Sequence, residues 1–159
     1  MNIQQAFQLL ISPEREGATL SDIPGDHGGL SKYGVSQAAY PGEDIAALTP
    51  ERAAFLYERD YWTPLRCIEI PDPLRFDLFD AGVNSGVRQA TKFLQRALGG
   101  VAVDGELGDL TMAAVHKADP VKLMRRFNGL RMQFDLADPQ FHEFAHSWMQ
   151  RIAANLVEV

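Results

Sequence analysis

The sequence predicts a mainly α-helical fold with one small irregular loop or hairpin near the N-terminus, on three observations. Apolar residues recur three and four positions apart over most of the 159 residues, the spacing that lines one face of a helix. Starter and stop residues such as Thr49-Pro50 and Gly99-Gly100 punctuate those stripes where helices begin and end. One stretch breaks the pattern: Gly17 to Gly34 is rich in Gly, Ser, Asp and Pro and has no helical period.

Ile3, Phe7, Leu10 and Ile11 predict a first helix from about Asn2 into the Glu14 to Gly17 region. Pro13 removes a backbone donor inside it, so Glu16 is expected at the helix end or just past a kink. The Gly17 to Gly34 loop follows, and long loops in small chains are usually functional. Thr49 then caps a helix with Pro50 at its first position and Ala53, Leu56, Tyr57 and Tyr61 on one stripe, closed by Trp62-Thr63-Pro64. After an extended Pro71 to Pro73 connector, Leu74, Leu78 and Ala81 mark the next helix.

Ala90, Phe93, Leu94, Ala97 and Leu98 mark another, stopped by Gly99-Gly100. Asp104-Gly105 makes a turn before a short helix at Asp109 to Ala118. A longer helix from Pro120 aligns Val121, Met124, Phe127, Leu130 and Phe134, and the last aligns Phe141, Phe144, Ala145, Trp148, Ile152 and Leu156. No repeat or linker interrupts this series, so the expected architecture is a helical bundle read as a single compact unit with lobes at 1–85 and 86–159.

Composition narrows the partners. A net charge of −6 argues against nucleic acid and anionic membranes, which are bound through an excess of Lys and Arg. Cys67 has no second cysteine to pair with and reads as a small core or linker residue. Residues 1 to 16 lack the basic start and long apolar run of a secretory signal, and no later stretch is suited to span a bilayer. The expectation is therefore a protein cytoplasmic on synthesis, without membrane insertion, that is carried or released to any target outside; nothing suggests more than a monomer.

The irregular loop carries the chemistry. Glu16-Gly17 is followed by Ser21-Asp22, Pro24-Gly25-Asp26-His27-Gly28-Gly29 and Ser31-Lys32-Tyr33-Gly34-Val35-Ser36. Glycoside hydrolysis needs a carboxylic acid to protonate the leaving oxygen and, in inverting enzymes, a second group to activate water from the opposite face. A glutamate at a helix end facing a loop that returns an aspartate and a hydroxyl supplies those parts, and the glycines let backbone approach a sugar. On spacing alone Asp22 and Asp26 read more readily as turn-capping residues.

The ordered pieces Glu16-Gly17, Asp22, Asp26, Gly28-Gly29, Ser31 and Tyr33-Gly34-Val35-Ser36 resemble the signature of the glycoside hydrolase 108 family of phage endolysins and related muramidases, which reads E-G-G, N-D-P-x-D, G-G-x-T-x-Y-G-I-S/T. The likeness continues through Tyr40-Pro41, Asp44-Ile45, Leu48-Thr49, Tyr61-Trp62, Phe76-Asp77 and Val83-Asn84-Ser85-Gly86. Beyond these, Leu94 to Gly99, Asp104-Gly105, Gly108, Thr111, Trp148 and Arg151 resemble the peptidoglycan-binding segment that commonly follows.

The resemblance implies a lysozyme-like helical fold with a catalytic lobe at 1–85 and a peptidoglycan-binding lobe at 86–159. It implies a muramidase cutting the β-1,4 bond between N-acetylmuramic acid and N-acetylglucosamine of bacterial peptidoglycan, without metal or organic cofactor. Glu16 takes the position of the catalytic acid, and Asp26 and Ser31 those of an aspartate and a threonine that hold the attacking water. Asp22, His27, Tyr33 and Asn84 are the candidate substrate-binding residues. The chain departs from the pattern at Ala18, at Ser31, and by one extra residue in the turn before Asp26.

For Glu16 to stay protonated near neutral pH, it should be partly buried against apolar neighbours, and Tyr33, Tyr61 and Trp62 are candidates for that wall or for stacking on sugar rings. A holin-type partner would carry such an enzyme to the wall, where it acts from the periplasm after release. The alternatives are a lytic transglycosylase on the same bond and a non-catalytic peptidoglycan-binding or secretion accessory protein.

His142-Glu143-Phe144-Ala145-His146 matches the H-E-x-x-H zinc peptidase pattern. Only thirteen residues follow His146, with Glu158 as the sole later acid. With Phe141, Phe144, Trp148 and Ile152 facing inward, the histidines fall on a flank roughly 90 to 130° away at about 100° per residue. A chance match on a surface helix is the reading adopted. Arg125, Arg126 and Arg131 are read as a basic cluster on a solvated helix face.

Overall fold

The computed structural model describes residues 1–12, 17–22, 28–139 and 141–157. Among them are seven α-helices and one two-stranded hairpin, a mainly α fold. Contacts divide the chain into two compact units, Asn2–Glu58 and Arg59–Val159 with Met1.

In the unit Asn2–Glu58, helix α1 spans Ile3–Leu10 and is started by a reciprocal cap: Asn2 Oδ1 accepts from the Gln5 N–H and Gln5 Oε1 from the Asn2 N–H, both at 2.9 Å. The helix ends at Leu10, earlier than the apolar stripe suggested. Ser12 precedes Pro13, and the residue before a proline is disfavoured in helical geometry. Strands β1 (Ser31–Lys32) and β2 (Val35–Ser36) follow, and helix α2 (Pro50–Tyr57) is capped by Thr49, whose side chain accepts from the Arg52 N–H. Helix α1 lies on α2, and Phe7, Leu10, Val35, Ile45, Leu56 and Tyr57 form the core of this unit.

A π-helical turn at Glu58–Trp62 carries the chain into the second unit, where a 3-10 turn at Cys67–Glu69 leads into α3 (Leu74–Ser85), α4 (Val87–Leu98), α5 (Asp109–Lys117), α6 (Pro120–Leu136) and α7 (Phe141–Val157). Helices α3, α4 and α6 pack on one another, with α7 against α6. Leu78, Phe79, Phe93, Leu94, Phe127 and Ile152 are buried between them. Phe93 sits edge-on to Phe127 at 6.1 Å and to Phe134 at 5.2 Å. Cys67 is buried and free, and desolvation pushes its thiol well above the usual range, so it behaves as a small apolar residue.

Three positions placed on inward stripes by periodicity, Val121, Phe134 and Leu156, are about 40% exposed. Trp62 is a core residue: it is 5% exposed, with its ring edge-on to Phe79 at 5.4 Å.

The main departure from expectation is Arg131. Rather than joining Arg125 and Arg126 in solvent, it is fully buried, with Nη1 2.7 Å from Asp80 Oδ2. Asp80 also takes Arg151 Nε at 2.7 Å and Asn155 Nδ2 at 3.2 Å, so α3, α6 and α7 share one ionic centre. Burial pulls the Asp80 carboxyl upward, but the two guanidiniums outweigh it and hold it below the ordinary range. One turn away Asp77 accepts from Asn128 Nδ2 at 2.7 Å, and there burial wins, pushing the carboxyl up to about 6.

Candidate active site

The irregular loop is built as a small sheet. Ser21 pairs with Ser31 through two backbone hydrogen bonds of 2.8 Å, each N–H donating to the other's carbonyl. Ser31 in turn pairs with Ser36, and Lys32 with Val35. The connection between β1 and β2 is the two residues Tyr33 and Gly34, both at positive φ, 55° and 74°. That is the conformation two-residue hairpins favour because it matches strand twist. Gly34 adopts it freely, while Tyr33 needs support. Its carbonyl accepts from the Tyr57 hydroxyl at 3.0 Å, and its ring lies edge-on to Phe7 at 6.4 Å with Lys32 Nζ 5.4 Å from its centre.

Lys32 ties the hairpin to the following loop by donating to the Leu48 carbonyl at 2.9 Å and the Ala46 carbonyl at 3.2 Å. Gln37 N–H donates to the Leu30 carbonyl, and Gln37 Nε2 to the Glu43 carbonyl at 3.2 Å. The scaffold therefore rests on backbone polar groups satisfied in pairs, as a segment with few buried apolar residues requires.

Glu16, Asp26 and His27 lie outside the described residues; the chain on either side of them is fixed. Gly17 N–H donates to the Ser12 carbonyl at 3.1 Å, pinning the chain before and after Glu16 to each other. Asp22 is exposed, directly after the Ser21 pairing, and the Gly28 carbonyl accepts from Ala38 N–H at 3.1 Å, so the ends of the Asp26 segment are both held on the hairpin. Gly17 and Gly29 take φ of 70° and 64°, open to glycine and strained for other residues.

Ser31 Oγ is half-buried and lies 2.9 Å from Ser21 Oγ. A hydroxyl offers one donor and two acceptor positions, so this pairing fixes Ser31 while leaving it capacity to orient a water or a sugar hydroxyl. Asp22, Ser31 and Tyr33 share one unit. Asn84 is half-buried on the last turn of α3, in the other unit.

The sequence held no signal for Ser21 as the partner of Ser31, because a one-residue bridge has no period. Tyr57, read as a helix-stripe residue, turns out also to brace the strained turn through its hydroxyl. On α7, His146 is exposed, while the side chains of His142 and Glu143 lie outside the described residues. Among the described residues no group of three or more His, Cys, Asp or Glu is arranged to hold a metal ion.

The family model for glycosyl hydrolase 108 matches residues 12–86, the stretch that contains this hairpin, both carboxylate segments and α3. Residues 12–86 belong to glycosyl hydrolase family 108. A second model, described as a predicted peptidoglycan domain, matches residues 89–153 immediately after it. Family 108 chemistry followed by a peptidoglycan domain makes the chain a glycoside hydrolase of peptidoglycan. The structure of SagA from Brucella abortus is similar over 98% of this chain and 92% of its own, with 26% identity and a TM-score of 0.87. No curated protein sequence matches. No helix among the described residues is long and apolar enough to cross a membrane.

Proposed function

We propose that this family 108 segment is a muramidase that hydrolyses the β-1,4 bond between N-acetylmuramic acid and N-acetylglucosamine, with Glu16 as general acid. The observation that carries the reading is the coincidence of the family match over 12–86 with the ordered motif from Glu16-Gly17 to Ser36. In this reading Glu16 protonates the glycosidic oxygen as the bond breaks. Asp26 takes a proton from the water that attacks the opposite face of the sugar, and Ser31 holds that water. The Ser21–Ser31 hydroxyl contact supports the last role, since a water-positioning group must itself be immobile.

Asp22, His27, Tyr33 and Asn84 contribute to holding the glycan. The biological setting that fits is a phage endolysin delivered to the wall with a holin's help. Co-expression with a holin should then clear a culture that the protein alone leaves intact.

Glu16→Gln tests the chemical assignment. Loss of a general acid costs typically 10²- to 10⁴-fold, so clearing of purified walls should fall at least a hundredfold while wall binding and thermal unfolding stay unchanged. Equal clearing by mutant and wild type would refute the assignment and favour a different acid or a non-enzymatic role.

A further inference from the structure

We propose that the cleft lined by residues 100–111, in the connection after α4 and the first turn of α5, grips the peptide stems of the wall by the aliphatic amine of their diamino acid. This deepens the reading of peptidoglycan as partner and rests on it. The cleft has a volume of about 590 Å³, within the range of small-ligand sites. All of its lining comes from one stretch inside the segment matched to the predicted peptidoglycan domain.

Its walls are fixed in advance. Gln95, buried on α4, donates through Nε2 to Asp104 Oδ1 at 2.7 Å and to the Glu106 carbonyl at 3.0 Å, and its Oε1 accepts from the Gly105 N–H at 2.9 Å. Asp104 Oδ1 also accepts from the Glu106 N–H at 2.9 Å. Gly105 has φ of 82°, and a Cβ there would stand 3.0 Å from the Arg88 carbonyl oxygen, so the turn admits only glycine. A site held this way loses little freedom on binding.

The lining chemistry selects the ligand. It contains no aromatic ring to stack on a sugar face and no lysine or arginine to meet a carboxylate. It does contain Val101, Ala102 and Leu110, and Leu110 is 86% exposed at the start of α5. That exposure leaves its side chain accessible to a ligand in the cleft.

Of the nearby carboxylates, Asp104 is engaged by the turn, and Asp109 meets Arg66 at 2.8 Å. Glu106 is exposed and its carboxylate takes no part in holding the turn. A methylene chain lying on Leu110 and Val101 with an ammonium at Glu106 satisfies both kinds of surface. An exposed ion pair adds little affinity, so single stems bind weakly, and the repeating wall supplies avidity.

The test is an amide-resolved NMR titration of the whole protein with a synthetic stem tripeptide that ends in a diamino acid bearing a free side-chain amine. That peptide has no glycosidic bond, so the outcome is independent of the muramidase assignment; a protein that binds it but cuts no wall would fault that assignment alone. Saturable shifts at 101–111 with millimolar affinity are expected, weakened about twofold to fivefold by acetylating the amine or by Glu106→Gln. The spectrum of Glu106→Gln away from the cleft reports that its fold is intact. No shifts in this stretch, equal shifts with the acetylated peptide, or the same amides moved by a peptide-free disaccharide would each overturn the proposal.

Discussion

The hairpin of the first unit and the helical core of the second use the same polar side chains to opposite ends. Around Ser21, Ser31 and Tyr33, polar groups hang on a paired backbone frame and remain half-exposed. Around Asp80, carboxylates and guanidiniums are sealed between three helices and neutralise one another. An acid in the first setting can exchange protons with a ligand. In the second it is part of the packing, and its charge is a liability that only its partners offset.

The sharpest way to break that contrast is Arg131→Met. It leaves Asp80 buried with Arg151 and Asn155, and breaking a buried pair by removing one partner typically costs about 3–5 kcal/mol. Urea unfolding should show a loss of that size; a loss below about 1 kcal/mol would mean the Asp80 centre is far less stabilising than its burial implies.

Asp77 gives the next largest effect. Its folded carboxyl titrates near 6 against 3.8 for a free one, mainly through burial, with Asn128 and Arg131 from α6 and Asn155 from α7 pulling the other way and Asp80 adding to the rise. The folded state thus binds a proton more tightly than the unfolded chain, so stability falls as pH rises from about 4 to 6, by on the order of 3 kcal/mol. Asp135, raised mainly by burial, acts in the same direction. Asp80, held low, acts oppositely and costs stability as pH drops through its folded value, below 3.8. Asp77→Asn should flatten most of the slope between pH 4 and 6 in thermal unfolding and leave the protein more stable than wild type at pH 7. Superimposable profiles would contradict the account.

Ser31→Ala reverses the pattern in the hairpin. Wall hydrolysis should drop about tenfold to a hundredfold if Ser31 orients water, while stability changes by less than about 1 kcal/mol, the net contribution of one hydrogen bond. Loss of stability without loss of rate would make Ser31 a structural residue like those around Asp80.

The helices were legible because their apolar residues repeat at 3.6, and the Thr49 cap and Gly99 stop were legible because few residues suit those places. The buried charges were also present in the pattern, though masked by their type. Asp77 lies between Leu74, Leu78 and Ala81 on one stripe, Arg131 stands four residues after Phe127, and Arg151 lies between Trp148 and Ile152. Charged residues on inward stripes of three helices imply mutual pairing, a conclusion that reading each helix alone does not reach. In the loop the order of Glu16, Asp26 and Ser31 was readable, while the Ser21 pairing and the Tyr57 brace depend on chain reversals that leave no period. The Gln95 clasp on the Asp104-Gly105 turn was hidden for the same reason.

The chemistry of the enzyme is defined by which bond is cut and how. Mass spectrometry of muropeptides released from purified walls tests it most directly: the account predicts fragments ending in reducing N-acetylmuramic acid with one added water. Fragments ending in anhydromuramic acid would instead identify a transglycosylase, and cleaved stem peptides on intact glycan would contradict the account altogether.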